Sequence, residues 1–424
     1  MKNKNVVVVG AAKSGVAAAK LLLKKGARVT LVDEKSRTQL SAALKGLPRA
    51  VRVQANRSKF YSDSVDLIVV SPGVPWDHPD LVKAREKGVP VWPELELGWR
   101  FAGPRKTVAV TGTNGKTTTT ALIGHVLRKA GRPTVVGGNI GTPLSALVDK
   151  IRPSTNLVLE VSSYQLEGQV TFHPNVGVFL NLTPDHLKRH GTMAGYARAK
   201  SRLFARMEKK DTAVLNGNDA WCRRIAGKVR ARKIFFPNPV DRRLAKSIRL
   251  LGEHNLENAM AASAACRALG IKSSAIRAGL ASFKGVPHRI EFVRALNGVK
   301  YFNDSKATNV DSTSVALKSF SGPLILILGG EHKGSSYRPL VPLIKGRVKL
   351  ILTIGEAAPI IAKDLRGAAP LRSCGTLARA VKTARALAGR GDGVLLSPAC
   401  ASFDQFKNFE QRGEEFARRV KALK

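Results

Sequence analysis

Short unbroken apolar runs alternate along this chain with longer stretches of helical spacing, and almost every run stops at glycine or at small polar residues. The first run, VVVV at 6–9, ends at Gly10, passes through Gly15 into an apolar helix closing near Lys24 and Lys25, and returns as RVTLVD at 28–33. This is the opening of a β-α-β unit. A further strand end is marked by SPGV at 71–74, and residues 93–103 read as the link into a second block. That block holds a strand at 108–110, LVLE at 157–160, VGVFLNL at 176–182 and helical spacing over 193–207. A third block begins around 285–290 and carries strands at 299–302, 323–330 and 393–397. The runs do not alternate with polar residues, so they predict strands buried on both faces, as in parallel sheets covered by helices. The expected class is α/β, with ligands at the carboxyl ends of the strands.

The chemistry sits at those ends. After the strand at 108–110 comes TGTNGKTTTT at 111–120, a glycine-bent loop, a lysine and hydroxyl residues opening a helix. Gly112 and Gly115 let backbone N–H groups turn towards phosphate oxygens, Lys116 can neutralise β and γ phosphates, and the Thr117 hydroxyl can ligate Mg²⁺. The loop is the short G-x-x-G-K-T form, because Val110 stands where the longer form has glycine. Glu160 ends a buried strand one step on, a suitable Mg²⁺ ligand. His186, in TPDH at 183–186, suits a second metal ion or a phosphate, whereas Lys200 on helical pattern alone reads as a solvated lysine. In the first block Ala12 replaces the second glycine of the dinucleotide fingerprint, which argues against NAD.

With 424 residues the chain has room for two to four domains. Its four cysteines, Cys222, Cys266, Cys374 and Cys400, are widely separated and show no metal spacing, which predicts reduced thiols. No apolar run reaches membrane-spanning length, and Lys13 interrupts the apolar stretch that would make a leader of the N-terminus. The charge, 71 Lys+Arg against 30 Asp+Glu or +41, would suit a nucleic-acid binder, but it is spread along the chain without a run or recognised motif. It favours anionic substrates and predicts no specific nucleic-acid partner.

TGTNGKTTTT at 111–120, GGNIG at 137–141, NLTPDH at 181–186, NDSKATN at 303–309 and SPACASFDQFKNFEQRG at 397–413 occur together and in this order. In this combination the chain resembles the Mur ligase family over essentially its whole length, and the last two motifs resemble its D-glutamate-adding branch. The resemblance implies three domains: a Rossmann-like UDP-substrate domain at 1–93, a central phosphate-loop ATPase domain at 94–285 and a Rossmann-like amino-acid domain at 286–424. It implies ATP-dependent joining of D-glutamate to UDP-N-acetylmuramoyl-L-alanine through an acyl phosphate, by a cytoplasmic monomer that makes peptidoglycan precursors.

Residue by residue, the resemblance assigns ATP to Gly112, Thr113, Asn114, Gly115, Lys116, Thr117 and Thr118, with Asn258 at adenine and Arg289, Asp304 and Lys306 at phosphate and ribose. It assigns one Mg²⁺ to Thr117 and Glu160 and a second to His186, supported by Lys200 as a carbamylated, carboxylate-like group. Asn139 and His186 would lie near the UDP substrate, whose far end falls to Lys13, Ser14, Glu34, Lys35 and Gly73. D-glutamate falls to Thr308, Lys333, Ser402 and Phe409. The chain departs from the familiar pattern at Glu34 and Lys35, where a Thr-Arg pair is usual, and at Lys188, where an acid is common. Another Mur-type or folate-type ligase, and a basic nucleic-acid-associated ATPase, stay open as alternatives.

Overall fold

The computed structural model of the chain describes residues 1–424 except 104, 249, 251 and 333. Among the described residues there are three sheets. The first contains β1 (Asn5–Val9), β2 (Arg28–Val32), β3 (Arg52–Gln54), β4 (Leu67–Val70) and β5 (Val91–Pro93), all parallel, in the order β3-β2-β1-β4-β5. The second contains β6 (Thr107–Thr111), β7 (Thr134–Gly138), β8 (Asn156–Glu160), β9 (Val176–Phe179), β10 (Thr212–Asn216) and β11 (Arg232–Phe236), again parallel, in the order β11-β10-β9-β6-β8-β7. The third runs β12-β13-β17-β14-β15-β16 through Glu291–Leu296, Val299–Asn303, Gly393–Leu396, Leu324–Gly329, Val348–Ile354 and Leu371–Gly375. There only the edge pair β12 and β13 is antiparallel.

The central strands bury every residue, which is why their sequences are continuous apolar runs: Leu67–Val70, Thr107–Thr111 and Leu324–Gly329 show no exposed position. Edge strand β12 lacks that signature because it alternates half-buried and exposed residues, and the sequence pattern does not disclose it. In the second sheet, β6 lies between β8 and β9, so the chain leaves its carboxyl end where the strand order reverses. Loops at such a point diverge and open a crevice. The chain forms two compact units, Met1–Ile248 with Leu256–Phe283, and Arg249–Asn255 with Lys284–Lys424. The first unit holds the first two sheets and the second unit the third.

Residues 93–103, expected as a link, contain a helix, Glu94–Ala102, whose buried side includes Leu95 and Leu97. Its two acids disguise it in the sequence, because Glu94 and Glu96 are both fully buried. Glu96 has a full set of partners: Arg100 Nε donates to it at 2.8 Å, the Thr171 hydroxyl at 2.6 Å, and the amides of Val170 and Thr171 also reach it. Glu94 is less well served. Its Oε1 accepts from Ser145 N at 2.7 Å, while Oε2 has no hydrogen-bond partner.

Burial pushes the Glu94 carboxyl up to about 7, against the lowering effect of the Ser145 bonds. The raised value means that the folded chain binds a proton the unfolded chain has released, so the stabilisation is complete below the unfolded pKa and is lost as pH climbs through about 7. The full swing is on the order of 3 kcal/mol. Glu94→Gln keeps an acceptor for Ser145 and cannot ionise. It is expected to raise the first melting transition at pH 8 by several degrees and to change it little at pH 5; identical pH dependence in both proteins would refute this.

Candidate active site

The loop after β6 turns on Gly112, at φ 148°, and Gly115, at φ 83°, before the helix Lys116–Lys129 begins. Both positions need glycine for space as well as for backbone angle: a Cβ on Gly112 would press on Leu180 at 3.0 Å, and one on Gly115 would collide with the Asn258 side-chain oxygen. The loop is pinned by Asn181, just past β9, whose backbone carbonyl accepts from Thr113 N and whose Oδ1 accepts from Asn114 N, each at 2.9 Å. Lys116 folds back over this frame, its ammonium donating to the carbonyls of Gly112 at 3.0 Å and Thr113 at 2.7 Å.

Glu160, at the end of β8, is 3% exposed, and both carboxylate oxygens are engaged. Thr117 Oγ1 donates to Oε2 and Asn139 Nδ2 donates to Oε1, each at 2.8 Å. The structure therefore brings Lys116, Thr117, Asn139 and Glu160 together. Asn258 joins them through its Oδ1, which accepts from the Thr119 hydroxyl at 3.2 Å. Lys200 is not solvated. It is 1% exposed, donates to the Gly112 carbonyl at 2.8 Å and lies 4.8 Å over the Tyr196 ring. Burial, with Lys116 nearby, drives its pKa well below the ordinary lysine value. Its helix is also shorter than the spacing over 193–207 suggests, running Met193–Ser201 before a 3-10 turn, Arg202–Phe204.

His186 sits in the left-handed region at φ 53°, with Nδ1 3.1 Å from Tyr164 Oη and Nε2 3.3 Å from an Asp185 oxygen. Burial lowers its pKa; Asp185 opposes this, while Lys200 and Lys116 add to the lowering. Among the described residues no three His, Cys, Asp or Glu side chains form a metal cage by themselves.

In the first sheet, Glu34, Lys35 and Gly73 line a cavity of about 180 Å³ together with Asp33, Arg57 and His78. Lys13 and Ser14 open the helix Lys13–Lys24 instead. Asp33 organises this crevice, accepting from Ala11 N at 2.7 Å and from Lys35 N at 2.9 Å. The sequence reading had only its place at a strand end and gave it no role.

The second unit has its own polar cluster at the carboxyl ends of β13, β14 and β17. Asp304 is 4% exposed, accepts from Ser397 Oγ at 2.8 Å and from Ile290 N at 3.2 Å, and burial pushes it up to about 7 against Ser397 and Arg289. Lys306 lies 5.8 Å over the ring of Phe409. Thr308 N donates to the Lys306 carbonyl, and Ser402 is buried with its carbonyl accepting from Phe406 N. Lys333 falls outside the described residues.

Arg412 is the residue in this unit that sequence reasoning missed. It is 1% exposed and forks into the carbonyls of Ser305 (2.9 Å), Ala401 (3.0 Å), Cys400 (3.1 Å) and Gly329, as well as the Ser305 hydroxyl. Burial lowers its pKa to about 10, with Cys400 and Asp404 opposing. The available signal was its spacing with Phe416 and Val420, both buried, along the inner face of the helix Phe409–Lys421. One guanidinium thus ties together the loops that follow β13, β14 and β17.

Three family profiles match in succession: the Mur ligase MurD-like N-terminal domain at residues 4–92, the Mur ligase middle domain at 110–238 and the Mur ligase glutamate ligase domain at 288–400. The chain is 46% identical to the UDP-N-acetylmuramoylalanine–D-glutamate ligase of Anaeromyxobacter dehalogenans, covering 99% of this chain and 97% of that one. It is 45% identical to the ligase of the same name from Myxococcus xanthus, covering 100% and 99%. The chain belongs to the Mur ligase family. Solved Mur ligases share its fold at lower identity. UDP-N-acetylmuramate-alanine ligase from Thermotoga maritima aligns at a TM-score of 0.60 and 18% identity, over 99% of this chain and 100% of that one. MurF from Acinetobacter baumannii aligns at 0.60 and 18%, over 97% and 93%.

Removing the Arg412 fork strands several buried carbonyls at once, each worth about 1–3 kcal/mol. Arg412→Met is expected to lower the melting temperature by at least 5 °C, roughly the effect of 2–3 kcal/mol in a domain of this size. Arg412→Lys, without a planar fork, should recover less than half of that loss. A wild-type melting curve for Arg412→Met would refute the role of the fork.

Proposed function

We propose that this Mur ligase joins D-glutamate to UDP-N-acetylmuramoyl-L-alanine at the expense of ATP, in the cytoplasm, as a step of peptidoglycan precursor synthesis. What carries the reading is the hydrogen-bonded Thr117–Glu160–Asn139 set, with Thr117 and Glu160 buried, beside Lys116, in a chain whose relatives are named for this reaction. In this assignment residues 1–93 take the UDP end, residues 94–285 the ATP and residues 286–424 the incoming amino acid.

A carboxylate is a poor acyl donor because oxide would have to leave. One oxygen of the alanyl carboxylate attacks the γ phosphorus, the bond from that phosphorus to the ADP oxygen breaks, and an acyl phosphate and ADP result. The D-glutamate amine then attacks the carbonyl carbon, a proton leaves the nitrogen, and the tetrahedral adduct collapses with loss of phosphate. Several anions crowd together in both steps, so fixed donors and cations aimed at the phosphates lower the barrier.

Lys116 is already poised over the loop and turns from its carbonyls to the β and γ phosphates. Asn139 keeps Glu160 aimed at Thr117. The Thr117 hydroxyl and the Glu160 carboxylate are hard oxygen donors of the kind Mg²⁺ takes, and the ion held there would add positive charge at the terminal phosphates. His186, with a carbamate on Lys200, would hold a second. The buried, unprotonated amine that carbamylation requires is favoured by the low dielectric around Lys200 and by repulsion from Lys116. Asn258 faces adenine in this scheme, Arg289, Asp304 and Lys306 serve phosphate and ribose, and Thr308, Lys333, Ser402 and Phe409 hold the amino-acid carboxylates.

Phosphate release should require ATP, Mg²⁺, UDP-N-acetylmuramoyl-L-alanine and an amino acid, with D-glutamate clearly preferred in a substrate panel. Lys116→Ala and Glu160→Ala should each reduce it at least about 100-fold with an unchanged circular dichroism spectrum. Release that is independent of D-glutamate, or preference for another amino acid, would overturn the assignment. Lys200→Ala should be similarly impaired, and rigorous removal of CO₂ should slow the wild type reversibly. A Lys200→Ala protein with wild-type turnover would eliminate the carbamate.

A further inference from the structure

The helix Met193–Ser201 has two working faces. Lys200 is buried towards the phosphate loop, while Arg198 and Ser201, with Arg202 just beyond, line a separate pocket of about 600 Å³. The opposite wall comes from the helix Ala220–Ala226 and the turn after it, with Trp221, Arg224, Lys228 and Arg230. The floor is apolar, made by buried Phe204, Ile225 and Val229. None of these residues is required by the chemistry above.

Five of the thirteen lining residues are Arg or Lys, against 71 of 424 in the whole chain, so the pocket concentrates positive charge beyond the general excess. No acid lines it. Among the described residues no ion pair engages Arg198, Arg202, Arg224, Lys228 or Arg230. Asp219, the neighbouring acid, is occupied elsewhere, accepting from Cys222 N and Leu182 N. Arg224 lies 5.1 Å over the Trp221 ring, which holds a guanidinium at the rim.

We propose that this pocket binds a nucleoside diphosphate as a second nucleotide site, distinct from the phosphate loop. The cations would take the two phosphates, and the flat ring would lie on the apolar floor beside Trp221. A volume near 600 Å³ matches a small ligand. An inorganic polyanion would leave the floor without a partner, and an uncharged ring would leave the cations unmatched. The site lies on a different face of the helix that carries Lys200, so its occupant would brace that helix.

Calorimetric titration with ADP tests this. Two sites per chain are expected in the wild type. Arg224→Glu with Arg230→Glu should remove one of them and leave phosphate-release turnover within twofold, whereas Lys116→Ala should weaken the other. A single wild-type site that survives the charge reversal, or two undiminished sites in the charge-reversed protein, would overturn the proposal. Because the proposed phosphate-loop function is probed by a different variant, failure of that reading would show as insensitivity to Lys116→Ala while charge reversal still removed a site. In the Lys116→Ala protein the remaining site should prefer ADP to inorganic tripolyphosphate at least fivefold, and Trp221→Ala should abolish the preference. Equal affinity for the two probes would refute the seating of the ring.

Discussion

An unpaired polar side chain is costly in a strand buried on both faces of a parallel sheet, and most of this molecule follows from that constraint. The interiors of β1, β4, β6 and β14 are occupied by Val, Leu, Ile and Ala, and polar chemistry is displaced to the points where these strands end. Asp33 stands just past β2, Glu160 closes β8, Asp304 follows β13 and Ser397 follows β17. The same constraint favours hydrogen bonds to each displaced group where it is buried, and Glu94, with one oxygen unpartnered, responds with a raised pKa instead. Thr117 and Asn139 supply those bonds for Glu160, and Ser397 and Ile290 supply them for Asp304.

The sheets and phosphate loop were legible because both arise from local rules. An apolar run closed by glycine specifies a buried strand and its turn, and G-x-x-G-K-T specifies how a helix begins. Less legible was anything that depends on a partner distant in sequence. Lys200 looks like a surface lysine until β6 delivers the Gly112 carbonyl to it. Glu94 and Glu96 look like solvent-facing acids until the amides of Ser145, Val170 and Thr171 arrive. The edge strand β12, half exposed, carries no pattern of its own. Residue pattern alone reads Lys200 as solvated, whereas the structure buries it.

The two units hold their loops in different ways. In the first, the backbone of a loop is opened by glycines, fixed by Asn181 and overlaid by Lys116. In the second, a buried guanidinium gathers carbonyls from three loops, so Arg412 sets their spacing through hydrogen bonds. Its hydrogen bonds go to carbonyl and hydroxyl oxygens, while Asp404 and Cys400 favour the charged form against burial.

The folded-back posture of Lys116 bears on the thermodynamics of nucleotide capture. A long, flexible side chain ordinarily loses rotamer freedom when it meets a phosphate, an entropic cost of up to about 2 kcal/mol. Here that freedom is already restricted by the carbonyls of Gly112 and Thr113. Under the proposed function, capture would be an exchange of acceptors, from two neutral carbonyl oxygens to anionic ones, with little further ordering of the lysine. The loop therefore acts as a docking cradle for its own cation, and the enthalpic difference between the two kinds of acceptor is left largely intact for binding.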